Sequence, residues 1–118
     1  MNRSMVLERS TELGLAIVEL YKVLRKREPD KILSRQLLRS GTNPGAMVHE
    51  AFYAESGKDF IHELRIALKE VHESHYWIML LEKSGYLTTD EKAQVKDLLT
   101  QVKKLLISSI KTRERNLK

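Results

Sequence analysis

The sequence predicts an all-α fold, namely an antiparallel up-down four-helix bundle with a kinked second helix. Four segments carry apolar residues at intervals of three and four, which is the spacing of one helix face. Short connections join these segments, and short connections make consecutive helices antiparallel neighbours. No segment shows the alternation that is typical of a strand. A chain of 118 residues fits one domain, over residues 1–118, with a continuous core.

The first helix is predicted from Ser4 or Met5 to Arg27. Pro29 stops it, because the residue before a proline is pushed out of the helical conformation. Asp30 can then cap the second helix through its carboxylate. The stripe that would face the core consists of Leu13, Ile17, Leu20 and Leu24.

The second helix is predicted to start near Ile32 and to kink at Pro44, which has no amide hydrogen for the helical ladder. Asn43 as N-cap, with Pro44 in the first helical position, would restart the helix. The restarted segment would continue to about Ser56. Small residues along it would let a neighbouring backbone approach closely.

The third helix covers Lys58 to Lys83, begins at a capping box made by Ser56 and Asp59, and ends at Gly85 as its C-terminal cap. Its C-terminal half is apolar on several faces, and such a helix must be covered on several faces. We expect a second copy of the chain to provide this cover. The expected oligomer interface consists of Tyr76, Trp77, Met79 and Leu80.

The fourth helix starts at a capping box, Thr88-x-x-Glu91, and is predicted to fray after about Arg115. Its apolar residues recur at helical spacing and indicate one face directed at the core. They are Val95, Leu98, Leu99, Val102, Leu105 and Leu106, followed by Ser109.

Positive charge is concentrated at the C-terminus. Of the formal net charge of +5, all is accounted for by residues 103–118, which hold six basic residues and one acid. A smaller basic cluster ends the first helix. A localised basic patch is typical of a protein with an anionic partner, although cations also complement the negative C-terminal ends of helices. The candidate nucleic-acid contacts are Arg25, Lys26, Arg27, Lys103, Lys104, Lys111, Arg113, Arg115 and Lys118.

Motifs of catalysis and cofactor binding are absent from the sequence. It has no GxxxxGK[ST], GxGxxG or GxSxG, and no Glu with a His three positions later. His72 and His75 share a helix face but have no evident third metal ligand. The pairs His49-Glu50 and His62-Glu63 have no nucleophile or cofactor motif beside them. We therefore expect no enzymatic activity, no cofactor and no metal.

The composition indicates a cytoplasmic protein. The chain has no cysteine, which fits a reducing compartment. Its first residues lack the uninterrupted apolar core of a signal peptide. No window approaches 18 consecutive apolar residues, so we expect no membrane segment.

The central part of the chain resembles the bacterial four-helix bundle proteins of the 23S rRNA intervening-sequence family. The resemblance extends from about Leu13 to Ile110 and is carried by SGTNPGAMVHEA and AESGKDFIHELRIALKEVHESHYWIMLLEKSGYL. Met47 and Ala51 replace an Asn and a Gly of the family pattern. The residues that match this pattern are Glu50, Phe60, Leu64, Ala67 and Leu68.

The resemblance implies a homo-oligomer, typically a barrel-like pentamer. It also implies a relationship to the accessory variability determinant of diversity-generating retroelements, which binds nucleic acid and works beside a reverse transcriptase.

Two functions of different classes follow. The first is a non-catalytic oligomer that binds RNA or structured duplex through phosphate contacts. No aromatic platform for single-stranded bases is evident, so binding would be backbone-directed and weakly sequence-specific. The alternative is a protein-interaction scaffold or accessory subunit, for example beside a reverse transcriptase, without direct nucleic-acid binding.

Overall fold

The structure is a computed structural model that describes residues 3–117, and the side chains of residues 5–117. Four helices follow one another as α1 (Arg3–Arg27), α2 (Ile32–Ala51), α3 (Gly57–Lys83) and α4 (Thr89–Asn116). Each helix packs against two others: α1 and α3 both contact α2 and α4, and the two diagonal pairs do not meet within the described residues. The predicted all-α, up-down four-helix bundle is confirmed, and it is about 49 Å long.

The core is formed by one stripe from each helix. All four residues of the predicted α1 stripe are buried, and so is the α4 stripe apart from the half-buried Leu105. Burying an aliphatic side chain of this size contributes about 1.5–3 kcal/mol. Large side chains with almost no exposed surface are Leu13, Ile17, Leu24, Leu37, Val48, Leu64, Val71, Leu81, Leu99, Val102 and Leu106.

α2 runs unbroken through Pro44, so the predicted restart with Asn43 as N-cap is wrong. The proline removes one hydrogen bond from the ladder, and the burial of its ring in the core offsets part of that loss. The bend expected at Pro44 remains a prediction.

The predicted end of α2 at Ser56 is also wrong, because the helix ends at Ala51. A turn follows it, in which the amide of Ala54 donates to the carbonyl oxygen of Ala51 at 3.1 Å.

Small residues bring α2 close to both of its neighbours, and two of them, Ser40 and Gly41, lie before the segment for which the sequence predicted this. A Cβ atom on Gly41 would lie 2.6 Å from the Ile17 side chain of α1, and one on Gly45 would lie 3.0 Å from the carbonyl oxygen of Ser10. Towards α3, the buried hydroxyl of Ser74 donates to that of Ser40 at 2.8 Å. Larger side chains at Gly41, Gly45 or Ser40 would not fit between α2 and its neighbours.

The connection between α1 and α2 is organised by a buried carboxylate. Glu28 is 3% exposed. Its Oε2 accepts from the amide of Leu33 at 3.0 Å, and its Oε1 accepts from the amide and the hydroxyl of Ser34 at 2.8 and 2.6 Å. The predicted cap, Asp30, accepts only from the amide of Ile32, at 3.2 Å. Glu28 therefore supplies most of the capping that the start of a helix needs.

The predicted caps of α3 are confirmed in large part. Ser56 accepts from the amide of Asp59 at 3.1 Å, but the Asp59 carboxylate accepts from Glu55 rather than from Ser56, so the box is incomplete. At the other end, Gly85 has a φ of +85°, and its amide and that of the next residue bond back to the last turn of α3. This is a Schellman motif, which favours glycine because of the left-handed backbone.

The capping box at the start of α4 is confirmed. The Thr88 side chain accepts from the amide of Glu91 at 3.1 Å, and the Glu91 carboxylate accepts from the amide of Thr88 at 3.0 Å.

The close contact between α1 and α2 predicts opposite effects for two Gly-to-Ala substitutions. We expect Gly41→Ala to destabilise the protein by about 1–2 kcal/mol, because the new methyl overlaps the buried Ile17 side chain by more than the helix gains. Gly14→Ala should stabilise it by about 0.5–1 kcal/mol, because Gly14 lies inside α1 with nothing within 4 Å of an added Cβ. Urea unfolding measures both; a stabilised Gly41→Ala variant would contradict the close contact.

The capping role of Glu28 predicts a large effect at a single carboxylate. We expect Glu28→Ala to cost about 1–3 kcal/mol, because it leaves two amides and a hydroxyl without their acceptor in a buried position. The matched control is Asp30→Ala, which removes one exposed hydrogen bond and should cost less than about 1 kcal/mol. Equal losses in urea unfolding would show that Glu28 has no special role.

Candidate nucleic-acid and self-association surfaces

The two predicted basic clusters lie at different heights of the bundle. Arg27, in the cluster that ends α1, contacts Glu91 at the start of α4. Lys104 follows Glu91 by thirteen residues, so it lies about 20 Å further along the bundle, and Arg115 lies about 36 Å along. The structure therefore separates Arg25, Lys26 and Arg27 from the C-terminal cations, and the two clusters do not form one patch.

Arg27 is used inside the molecule. Its guanidinium donates to both Glu91 carboxylate oxygens, at 2.7 and 2.8 Å, and to the Tyr86 carbonyl oxygen at 3.1 Å. The hydrogen bond from Arg27, together with the bond from the Thr88 amide, lowers the pKa of Glu91 to about 2. Arg27 thus ties the end of α1 to the start of α4. Its charge is offset, which argues against the predicted phosphate contact.

Arg113 is also engaged within the bundle. Its guanidinium carbon lies 4.1 Å from the centre of the Phe60 ring, at the distance of a cation–π contact. The Phe60 ring in turn packs against Phe52, with ring centres 5.5 Å apart. Arg113 therefore covers the end of the core. Lys118 lies outside the described residues.

The remaining predicted cations of α4, together with Lys96, lie along its outer side and form a surface that we call the basic stripe. None of its members forms an ion pair within residues 5–117, and Arg115 makes only a long hydrogen bond to Thr112. Beyond its first turn this helix carries two acids: Asp97 accepts from Gln101 at 2.8 Å, and Glu114 pairs with Arg65 of α3. The stripe consists of Lys96, Lys103, Lys104, Lys111 and Arg115, all exposed except the half-buried Lys103.

The sequence prediction missed Lys96, because this lysine lies about two turns before the basic run that begins at Lys103. Helical spacing was the available signal, since Lys96 precedes Lys103 by seven residues, or about two turns.

Two lysines of the stripe act on a histidine of α3. The pKa of the half-buried His75 is lowered by burial, and further by Lys103, His72 and Lys96. Its neighbour His72 is exposed. The region offers no cage for a metal: across residues 3–117, no three His, Cys, Asp or Glu side chains lie close enough together to hold an ion.

The exposed residues of α3 form one continuous row, which we call the α3 stripe. They recur at intervals of four and three along the whole helix, and none is acidic. One member, Arg65, pairs with Glu114 of α4. The stripe consists of Lys58, His62, Arg65, Lys69, His72, Tyr76, Met79 and Lys83.

The four predicted interface residues are grouped on the C-terminal half of α3. Tyr76 and Met79 are exposed members of the α3 stripe. Trp77 and Leu80 are half-buried. The Trp77 indole nitrogen donates to Glu73 at 2.9 Å, and the indole ring lies edge-on to Tyr76. The apolar surface left open on α3 is therefore centred on Tyr76 and Met79.

A second open apolar surface lies on α1 and was missed in the sequence. Leu15 is 64% exposed, and Val18 and Val23 are exposed as well. Leu15 and Val23 line a groove of about 740 Å³ between α1 and α4. The available signal was that these residues are apolar although they lie off the core stripe. The surface, which we call the α1 face, consists of Glu8, Glu12, Leu15, Val18, Glu19 and Val23.

Fold and surfaces together define an antiparallel four-helix bundle with cations along α4 and α3 and carboxylates on α1. None of the helices in the described range is long and apolar enough to cross a membrane. The chain belongs to the 23S rRNA-intervening sequence protein family, whose model matches residues 2–108. The family resemblance found in the sequence is confirmed.

A solved structure agrees with this assignment. The chain is similar to a protein of unknown function from the S23 ribosomal protein family of Bacteroides thetaiotaomicron VPI-5482, with 42% sequence identity and a TM-score of 0.89. The match covers 94% of this chain and 99% of the other. Among curated proteins, none matches the chain.

The environment of His75 predicts a pH-dependent stability. Its pKa in the folded protein lies below the ordinary value of about 6.5. Between these two pH values the unfolded chain binds a proton that the folded chain does not, so stability falls as the pH falls through this window. Above about pH 6.5 both states are neutral and His75 contributes no pH dependence.

We therefore expect His75→Gln to lose less stability than the wild type between pH 8 and 5, measured by thermal unfolding. His62→Gln, on the exposed side of the same helix, is the control. Parallel curves for the wild type and His75→Gln would contradict the role of His75.

Proposed function

We propose that the protein is a non-catalytic homo-oligomer that binds nucleic acid, RNA or structured duplex, through phosphate contacts from the basic stripe. The observation that supports this most directly is the row of cations on α4 that lack an intramolecular carboxylate partner within the described residues. Cations of this kind are available to displace counterions from a phosphate backbone.

The shape of the stripe favours contact along a backbone rather than readout of bases. Lys96 and Arg115 are nineteen residues apart, so the stripe extends about 28 Å along a straight helix. It contains no aromatic side chain on which bases could stack, and Tyr76 and Trp77 lie on α3. Phosphate contacts position a ligand without reading its sequence. The expected ligand is therefore a duplex or a structured RNA, bound with little sequence specificity.

Arg25 and Lys26 can add a second, smaller contact. Both are exposed at the end of α1 and, unlike Arg27, have no ion pair within residues 5–117. The nearest member of the stripe, Lys96, lies about 8 Å from them along the bundle, so a ligand bound along the stripe could also reach them.

Self-association is supported by the apolar side chains that the single chain leaves open on α1 and α3. Open apolar patches of this kind mark interaction surfaces. The pentamer implied by the family resemblance is the specific form that we propose.

The absence of cysteine supports a cytoplasmic location.

A second candidate function is a scaffold for another protein without nucleic-acid binding. The groove between α1 and α4 favours it, because acidic residues and an exposed leucine lie side by side there. A pull-down with the purified protein separates the two functions: a partner retained after nuclease treatment supports the scaffold, and one lost with nuclease supports nucleic-acid binding.

Binding through the stripe predicts a steep salt dependence. For duplex DNA, five phosphate contacts give a slope of log K against log salt of about −4.5. Fluorescence anisotropy with a labelled 20-base-pair DNA duplex and a labelled RNA stem-loop, from about 50 to 300 mM NaCl, measures this slope. Lys104→Ala combined with Lys111→Ala should make it shallower by about 1.8 and weaken binding to both probes.

The control is Lys22→Ala combined with Arg35→Ala, which removes the same charge from exposed positions on α1 and α2. This control should bind like the wild type. No binding by the wild type at 50 mM NaCl would overturn the proposed function, and equal losses in both double variants would remove the basic stripe from it.

A further inference from the structure

One end of the bundle holds an open pocket, which we call the end pocket. The turn after α2, the first turn of α3 and the last turns of α4 meet there, and a Cβ atom on Gly57 would lie 2.7 Å from the Leu117 side chain. The pocket has a volume of about 370 Å³, at the lower end of the range for sites that hold small ligands. The open apolar surfaces run along the sides of α1 and α3, so self-association through them would leave this end accessible.

One wall of the end pocket is aromatic and cationic. The rings of Phe52 and Phe60 line it, with their centres 5.5 Å apart. The guanidinium carbon of Arg113 lies 4.1 Å from the centre of the Phe60 ring. Arg113 follows the buried Ile110 by three residues and so continues the core stripe of α4 beyond the end of the core. A wall of this kind suits a flat ring system.

The end pocket also contains a cation and an acid that are not paired with each other. Arg113 and Glu55 both line it. Within residues 5–117 neither side chain forms an ion pair or a hydrogen bond. A ligand that offers acceptors to the guanidinium and donors to the carboxylate would satisfy both groups.

The carboxylate of Glu55 favours a base over a phosphate as the occupant. A phosphate would meet a like charge in the pocket, whereas a nucleobase is neutral and planar and has donors and acceptors on its edges. Guanine matches the two side chains best. Its O6 and N7 accept from an arginine, and its N1–H and amino group can donate to the two oxygens of a carboxylate.

We infer that the end pocket binds an unpaired guanine of a nucleic acid whose paired part lies along the basic stripe. The inference rests on the proposed function and adds a base-specific contact to it. Arg115, the last member of the stripe, follows Arg113 by two residues, so the stripe and the pocket end within about 3 Å of each other along α4. Two residues also turn a helix by about 200°, so a single strand must leave the duplex and pass around the end of α4 to reach the pocket.

Two exposed side chains beside the pocket suit the remainder of that strand. Lys58 lies in the first turn of α3, is exposed, and forms no ion pair within residues 5–117, so it is available to a phosphate. Tyr53 is 89% exposed, more than any other large apolar side chain of the described residues. Its ring is available to a second base, since stacking on an aromatic ring accepts any base.

The test compares labelled 20-base-pair DNA duplexes by fluorescence anisotropy at about 100 mM NaCl. One duplex is blunt, and the others carry a 3′ or a 5′ overhang of three nucleotides, TGT, TAT, TCT or TTT. For the wild-type chain we expect the overhang with guanine to bind about tenfold more tightly than the other three. Equal affinities for the four overhangs, or a preference for another base, would overturn the inference.

Glu55→Gln should lose this preference, because its amide replaces one carboxylate oxygen with a donor. Glu55 is exposed, so the bundle should keep its urea midpoint. The matched control is Glu50→Gln, which removes the same charge from an exposed position in the last turn of α2, outside the pocket. The control should keep the preference, and both variants should bind the blunt duplex equally. A preference that persists in Glu55→Gln would overturn the inference.

Two further variants test the aromatic and cationic groups. Arg113→Lys keeps the charge but loses the planar fork of donors, so the preference for guanine should disappear while the blunt duplex binds as before. Tyr53→Ala should weaken all four overhangs alike, by about fivefold or more, and leave the blunt duplex unchanged. Unchanged affinity of Tyr53→Ala for every overhang would place the strand elsewhere and overturn the inference.

Further outcomes separate a strand from a free nucleotide and this inference from the proposed function. Guanosine monophosphate at about 0.1 mM should leave the preference intact, because a free nucleotide gains nothing from the stripe. Loss of the preference would assign the pocket to free guanine nucleotides and overturn the inference. Binding of the blunt duplex without any preference among overhangs would overturn the end pocket alone, and no binding of any probe at about 50 mM NaCl would overturn the proposed function as well.

Discussion

The close packing of α2 against both of its neighbours is the constraint on which the other features depend. Gly41 and Gly45 let α1 approach on one side, and Ser40 bonds to Ser74 of α3 on the other. A larger residue at any of these sites would push a neighbour outward. Because α2 holds α1 and α3 at fixed heights on its two sides, it also decides which outward side chains of those helices are level with one another.

Local features of the sequence predicted local structure well. The box at Thr88 and the turn at Gly85 were correct because each depends on backbone groups only a few residues away. Pro44 was misjudged as a restart because the burial of its ring against other helices offsets part of its cost. Glu28 was missed as a cap because its partner amides lie five and six residues ahead, across a left-handed turn at Lys31.

The candidate surfaces were predicted less completely than the fold, since a sequence shows which residues are charged but not which charges meet. Arg27 was predicted to contact phosphate, but the structure pairs it with Glu91, which lies 64 positions further along the sequence. Arg113 looked like its neighbours in a basic run, yet helix geometry turns it onto Phe60. The apolar residues of α1 were visible as letters, but only the exposure of Leu15 shows that no other helix covers them.

Ion pairing determines which charges this surface presents to other molecules. Several carboxylates on α3 are paired: Glu70 and Glu73 with Arg39, and Glu82 with Lys92. Exposed pairs of this kind contribute little to stability, with a median of about 0–1 kcal/mol each. They nevertheless cancel charge locally, and cations without an ion pair among residues 5–117 remain on α4 and along α3. The segregation of charge that a phosphate backbone or a second copy would meet is therefore a product of pairing inside the fold, and the net charge of +5 alone could not locate it.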